Sequence, residues 1–140
     1  IKRCDWSSDV CSSDLIKNKF GGYAYSQLMK LKQNKSNGSA RQELIKKFGY
    51  DTKFAMHSVR LLTSAIEILE TGDFSTYRPN RKELLEIRNG RYGFKEIVEM
   101  IEELDHKLQI VSEKSELPKT PDYEKINQLL IEINTEALSI

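Results

Sequence analysis

Apolar residues recur along this chain at steps of three and four, the spacing that lines one face of an α-helix. IKNKFGGYAYSQLMKLKQN puts Phe20, Tyr23, Ala24, Leu28 and Leu31 near that period, although Gly21-Gly22 weaken its start. The polar KSNGS reads as a loop, and ARQELIKKF as a short helix closed by Gly49. Asp51 suits the N-cap of TKFAMHSVRLLTSAIEILET, which Gly72 ends. DFSTYRP is rich in β-formers and predicts one short β-arm near residues 74–78, or a plain extended connector. Asn80 is expected to cap RKELLEIRN, with Gly90 as its stop. GFKEIVEMIEELDHKLQIVSEKS predicts a long amphipathic helix with Ile97, Ile101, Leu104, Leu108 and Val111 along one stripe. ELPKTP breaks the chain, and Asp122 should cap a last helix running to about Asn134. The pattern predicts an all-α fold of five or six helices.

The segment from Thr52 to Thr71 carries two stripes. Ala55, Val59, Leu62, Ile66 and Leu69 must face a core. Lys53, His57, Arg60 and Ser64 follow steps of four, three and four on another face. Lysine offers phosphate a compact point charge, arginine a planar fork, and histidine a hydrogen bond that titrates near neutrality. The stripe begins near a helix N-terminus, where the helix dipole also favours an anion. An ordinary solvated face would show the same spacing. Tyr23, Gln27 and Lys30 would extend this basic surface, with Lys19 beside them, although Tyr23 suits a core equally well. His106, between Asp105 and Lys107, reads as surface.

Charge is distributed unevenly. From Lys17 to Arg60 ten basic residues stand against Glu43 and Asp51, a net +8, whereas residues 61–140 carry ten basic and sixteen acidic residues, a net −6. The overall +1 therefore hides two halves of opposite sign. A basic half fits a polyanionic partner, nucleic acid or a nucleoside triphosphate. Mutual neutralisation of the halves across the fold fits equally well. The 140 residues suffice for one domain. They contain no apolar run of membrane-spanning length and no signal-peptide pattern, so a cytoplasmic location is expected.

The opening CDWSSDVCSSDL holds both cysteines and the only tryptophan. Cys4 and Cys11 have no companion cluster for a metal, and His57 and His106 are isolated, so no metal ligand is assigned. DWSSDVCSSDL resembles instead the translation of a sequencing-library adapter read through into a gene. On that reading residues 1–15 are not native, and residues 16–140 form the domain.

NKFGGYAYSQLMKL, YDTKFAMHSVRLLTSAIEILETG, RP and LLEIRNG resemble, in order and spacing over roughly residues 17–135, the C-terminal half of predicted nucleotidyltransferases of the DNA polymerase β superfamily. More narrowly they are similar to the RlaP-type group, associated with RNA repair and frequent in phages and bacteria. Lys53, His57 and Arg60 match that pattern, which usually has a second histidine where this chain has Phe54. The resemblance implies the helical half of a larger α+β enzyme. Its N-terminal part would carry a Gly-Ser turn and paired carboxylates, with divalent metal (Mg²⁺) and a nucleoside triphosphate as cofactor and substrate. GSARQEL has the dipeptide but no D-x-D behind it. The chain is therefore expected to lack the catalytic carboxylates and to be inactive alone, contributing nucleotide, phosphate or acceptor binding through Lys53, His57 and Arg60, with Lys19, Tyr23 and Lys30 as weaker neighbours. The implied partners are a nucleoside triphosphate, RNA and the missing N-terminal domain. A non-catalytic helical module binding nucleic acid or protein is the alternative, and self-association through an exposed apolar face a further expectation.

Overall fold

A computed structural model describes residues 12–33 and 39–138, which take in only the last four residues of the adapter-like stretch and leave Cys4, Trp6, Cys11 and most of KSNGS outside. Helix α1 (Ser13–Ile16) runs through a π-helical turn (Lys17–Gly21) into α2 (Gly22–Lys32). Then come α3 (Ser39–Phe48), α4 (Thr52–Thr71), α5 (Arg81–Arg88), α6 (Phe94–Lys114) and α7 (Tyr123–Leu138). The described residues contain no strand, so the fold is all-α as the periodicity predicts.

Helix α4 is the axis of the bundle, with α6, α2 and α5 packed around it. Its predicted stripe is buried throughout: Ala55, Val59 and Leu62 are inaccessible, and Ile66 and Leu69 nearly so. They meet Ala24, Leu28 and Leu31 of α2, Leu84 and Ile87 of α5, and Ile97, Ile101 and Leu108 of α6 in one cluster. Leu104 and Val111, also on the α6 stripe, pack against its edge. The buried side chains are mostly branched aliphatics, each contributing about 1.5–3 kcal/mol when removed from water.

Glycines that weaken a helix on paper have packing roles here. A Cβ on Gly21 would stand 3.1 Å from Leu108 Cδ2, so the bare backbone lets the π-helical turn approach α6 closely. Gly90 closes α5 at φ +75°, and its missing side chain is replaced by the Phe48 ring. Nearby, the buried Tyr50 hydroxyl donates to the Tyr92 carbonyl at 2.7 Å. The turn before α4 is thereby pinned to the turn before α6.

The predicted β-arm is absent, and residues 73–80 form an irregular loop. A single β-forming run has no ladder without a second strand, and local hydrogen bonds claim this one. Phe74 N–H donates to Asp73 Oδ1 at 2.8 Å and Ser75 Oγ to the Tyr77 carbonyl at 3.0 Å. The Arg78 guanidinium folds back to pair with Glu67 of α4.

At the opposite end of the chain, Ser12 Oγ caps α1 by accepting from Leu15 N–H, and Ser13 N–H donates to the Pro118 carbonyl. Asp122 caps α7 through Lys125 N–H at 3.0 Å, as expected. The helix continues past Asn134 to Leu138 because nothing in TEAL stops it. No residue of α7 is fully buried. No described helix is long and apolar enough to cross a membrane.

Candidate phosphate-binding face

The carboxylate of Asp51, itself 2 % exposed, accepts from Lys53 N–H at 3.0 Å and Phe54 N–H at 3.2 Å. This cap starts α4 and sets the rotation at which its next side chains emerge. Two amides of this helix N-terminus therefore serve a carboxylate of the chain itself, the N-cap that the sequence predicts.

Beyond the cap, Lys53 and Arg60 point to solvent, and His57 is half-buried between them. Its ring meets Tyr23 of α2 edge-on, with centroids 5.6 Å apart and planes at 89°. Burial, and then the positive charge of Arg60, hold the His57 pKa below its ordinary value of 6.5. The imidazole is therefore neutral at pH 7 and keeps one N–H to donate. Neither Lys53 nor Arg60 has a carboxylate within 4 Å among the described residues.

Tyr23 is 48 % exposed, which excludes the core role that its helical period also allowed. The other two weaker candidates, Lys19 on the π-helical turn and Lys30 near the end of α2, are exposed. Gln27 is buried and does not extend the surface. Ser64, the last member of the stripe, is buried too, and its hydroxyl donates to the Arg60 carbonyl at 2.7 Å. Helical spacing predicted a shared face correctly from Lys53 to Arg60 and failed at Ser64, where packing rather than period decides exposure.

Two cations of this region escaped sequence reasoning because they arrive from other helices. Arg41 of α3 lies 4.3 Å from the Phe54 ring centroid and 3.9 Å from Asp51. Arg88 of α5 donates to Thr52 Oγ1 at 3.3 Å. Phe54, standing where the resembled pattern has a second histidine, is thus a platform for a guanidinium. Among the described residues no three His, Cys, Asp or Glu side chains gather where they could hold a metal.

An all-α domain whose central helix turns one face to a core and another, cationic, to solvent is the class that this geometry defines. The chain belongs to the RNA repair pathway DNA polymerase beta family, RlaP, whose model matches residues 4–132. Membership places it among nucleotidyltransferase-like proteins. No curated protein and no solved structure matches it.

Proposed function

We propose that this chain is the helical part, residues 16–140, of a metal-dependent nucleotidyltransferase, and that Lys53, His57 and Arg60 hold phosphate of a nucleoside triphosphate or of an RNA strand. Family membership supports the class. The observation that carries the binding role is the pair of solvent-facing cations, free of carboxylate partners, on either side of a histidine buttressed by Tyr23. Lys53 supplies a mobile point charge, Arg60 a two-pronged donor, and neutral His57 an oriented N–H. An arriving phosphate also favours protonation of His57, offsetting the desolvation that keeps it neutral.

The carboxylates that would hold Mg²⁺ and activate a hydroxyl are assigned to a preceding α/β part, with residues 1–15 read as adapter-derived. The chain by itself then has no transferase activity. Titration with ATP or GTP plus Mg²⁺, and separately with short RNA, tests this reading. The expected outcome is saturable binding that Lys53→Ala and Arg60→Ala each weaken about tenfold, in line with loss of one charge-assisted contact. Preference for triphosphate marks the enzyme half. Steeply salt-dependent RNA binding with no nucleotide preference marks a non-catalytic module instead. Wild-type behaviour of both variants towards both ligands would return the stripe to plain solvated surface.

A further inference from the structure

A groove of about 350 Å³ lies between the C-terminal half of α4, the start of α5 and the middle of α6. That volume stands at the low end of the range for small-ligand sites. Ile66, Pro79 and Leu104 form its apolar wall. Arg78, Asn80 and Glu83 form a polar one, and each of these three has a group left over. Arg78 is 7 % exposed; its Nη1 pairs with Glu67 and reaches the Ser75 carbonyl at 3.4 Å, but its Nε is buried without an acceptor. Asn80 stands at the N-cap of α5, yet its side chain accepts from no amide of that helix, contrary to the cap expected from sequence. Its Nδ2 donates instead to Glu83 Oε2 at 3.2 Å. A carboxylate can only accept, so this bond fixes the orientation of the amide and leaves Oδ1 buried without a donor.

Glu83, half-buried, has no cation within 4 Å among the described residues. The other two carboxylates of the groove are paired, Glu67 with Arg78 and Glu70 with Lys107 at 3.4 Å. Buried polar groups left unmatched carry a desolvation cost that a complementary ligand removes. The complement here is specific. Glu83 and Asn80 Oδ1 call for a cation with several N–H donors. No three acidic groups are arranged for a metal, so that cation is organic, and an ammonium has the donors. Arg78 Nε–H calls for a neutral acceptor, because its guanidinium already faces the Glu67 carboxylate.

We propose that this groove binds the α-ammonium end of an apolar amino acid or peptide. The ammonium donates to Glu83 and Asn80 Oδ1, the adjacent carbonyl oxygen accepts from Arg78 Nε, and the aliphatic side chain lies against Ile66, Pro79 and Leu104. Capture of an N-terminal amine by converging polar groups is an established mode of peptide recognition. The groove shares no residue with Lys53, His57 and Arg60, so neither site stands or falls with the other.

Backbone-amide NMR of the full chain, titrated with leucinamide and its relatives, tests the site. Leucinamide has the ammonium, the neutral carbonyl and the aliphatic group, and should shift the amides between Arg78 and Glu83 saturably. N-acetyl-leucinamide, which has no ammonium, should bind at least about tenfold more weakly, the scale of a lost charge-assisted bond. Isoamylamine, which has no carbonyl, should bind about fivefold more weakly, the scale of one neutral hydrogen bond. Glu83→Gln keeps an acceptor for the Asn80 amide, so its circular dichroism should match wild type while leucinamide affinity falls about tenfold. Arg78→Lys keeps a charge for Glu67 but has no Nε–H. It should reduce leucinamide to the level of isoamylamine and leave isoamylamine unchanged. Free leucine binding as well as leucinamide supports the site with a free amino acid as ligand, and weaker binding of leucine supports it with a peptide terminus. Equal affinity for leucinamide and its N-acetyl form overturns the proposal, as does unchanged affinity in Glu83→Gln. The absence of any saturable shift also overturns it and assigns the leftover groups to solvent.

Discussion

His57 is the residue whose environment matters most. Its apolar side rests on Tyr23, and burial followed by Arg60 disfavours its charged form. The unfolded chain takes up a proton at about pH 6.5, and the folded chain only at a lower pH. Between those values the unfolded state binds more protons, so this residue's contribution lowers stability as pH falls through the window. His57→Gln should therefore flatten the fall in thermal midpoint between pH 7 and 5 relative to wild type. The opposite sign applies to the proposed binding: a phosphate beside His57 would favour its charged form, and affinity should increase over the same acid range in wild type but less so in the variant. NMR titration of the imidazole with and without inorganic phosphate reads both directly. A second residue, Gly90, tests the fold. Its φ of +75° strains any side chain by about 1–2 kcal/mol, and a Cβ would enter the Phe48 ring. Gly90→Ala should lose at least ~2 kcal/mol in urea unfolding, overpacking adding to the strain.

Among the elements, α4 and α7 are opposites. Helix α4 buries residues around much of its circumference and leaves Lys53 and Arg60 exposed in its N-terminal half and Glu70 and Thr71 at its end. Helix α7 is amphipathic in sequence yet leaves Leu130, Ile131 and Ile133 each more than half exposed. None of the other helices packs on it to the extent that they pack on one another. Ending the chain after Pro121 should accordingly lower the thermal midpoint by less than about 4 °C, the shift that roughly 1 kcal/mol produces in a domain of this size. The uncovered α7 stripe is also where self-association is expected to arise. Light scattering over a concentration series should show a mass that rises for the full chain and stays monomeric for the shortened one. A strict monomer in both would end that expectation.

For the molecule as a whole, the two oppositely charged halves do meet, but sparingly. Lys32 of the basic half reaches Glu102 of the acidic half at 2.6 Å. Lys19, Lys30, Lys53 and Arg60 have no such partner among the described residues. Direct ion pairing across the fold therefore consumes little of the basic surplus.

Much of this was legible in the residues themselves. Period and stop signals located the helices, because backbone hydrogen bonding and a buried stripe are local demands that a few residues satisfy. The stripe Ala55 to Leu69 and the caps at Asp51 and Gly72 came from the chain order alone. The same holds for Lys53, His57 and Arg60 sharing one side. Exposure could not be read in this way, since it depends on what packs against a position from elsewhere. Ser64 and Gln27 fell inside and Tyr23 outside, although all three obey the helical period. Nor could residues 74–78 reveal that their β-propensity would go unused: a strand needs a distant partner, and Arg78 finds Glu67 instead. Arg41 and Arg88 reach the start of α4 only because α3 and α5 pack beside it. Sequence thus determined the helices and their faces, through interactions spanning four residues or fewer. Tertiary structure decided which polar side chains meet solvent and one another, because those neighbours lie tens of residues apart along the chain.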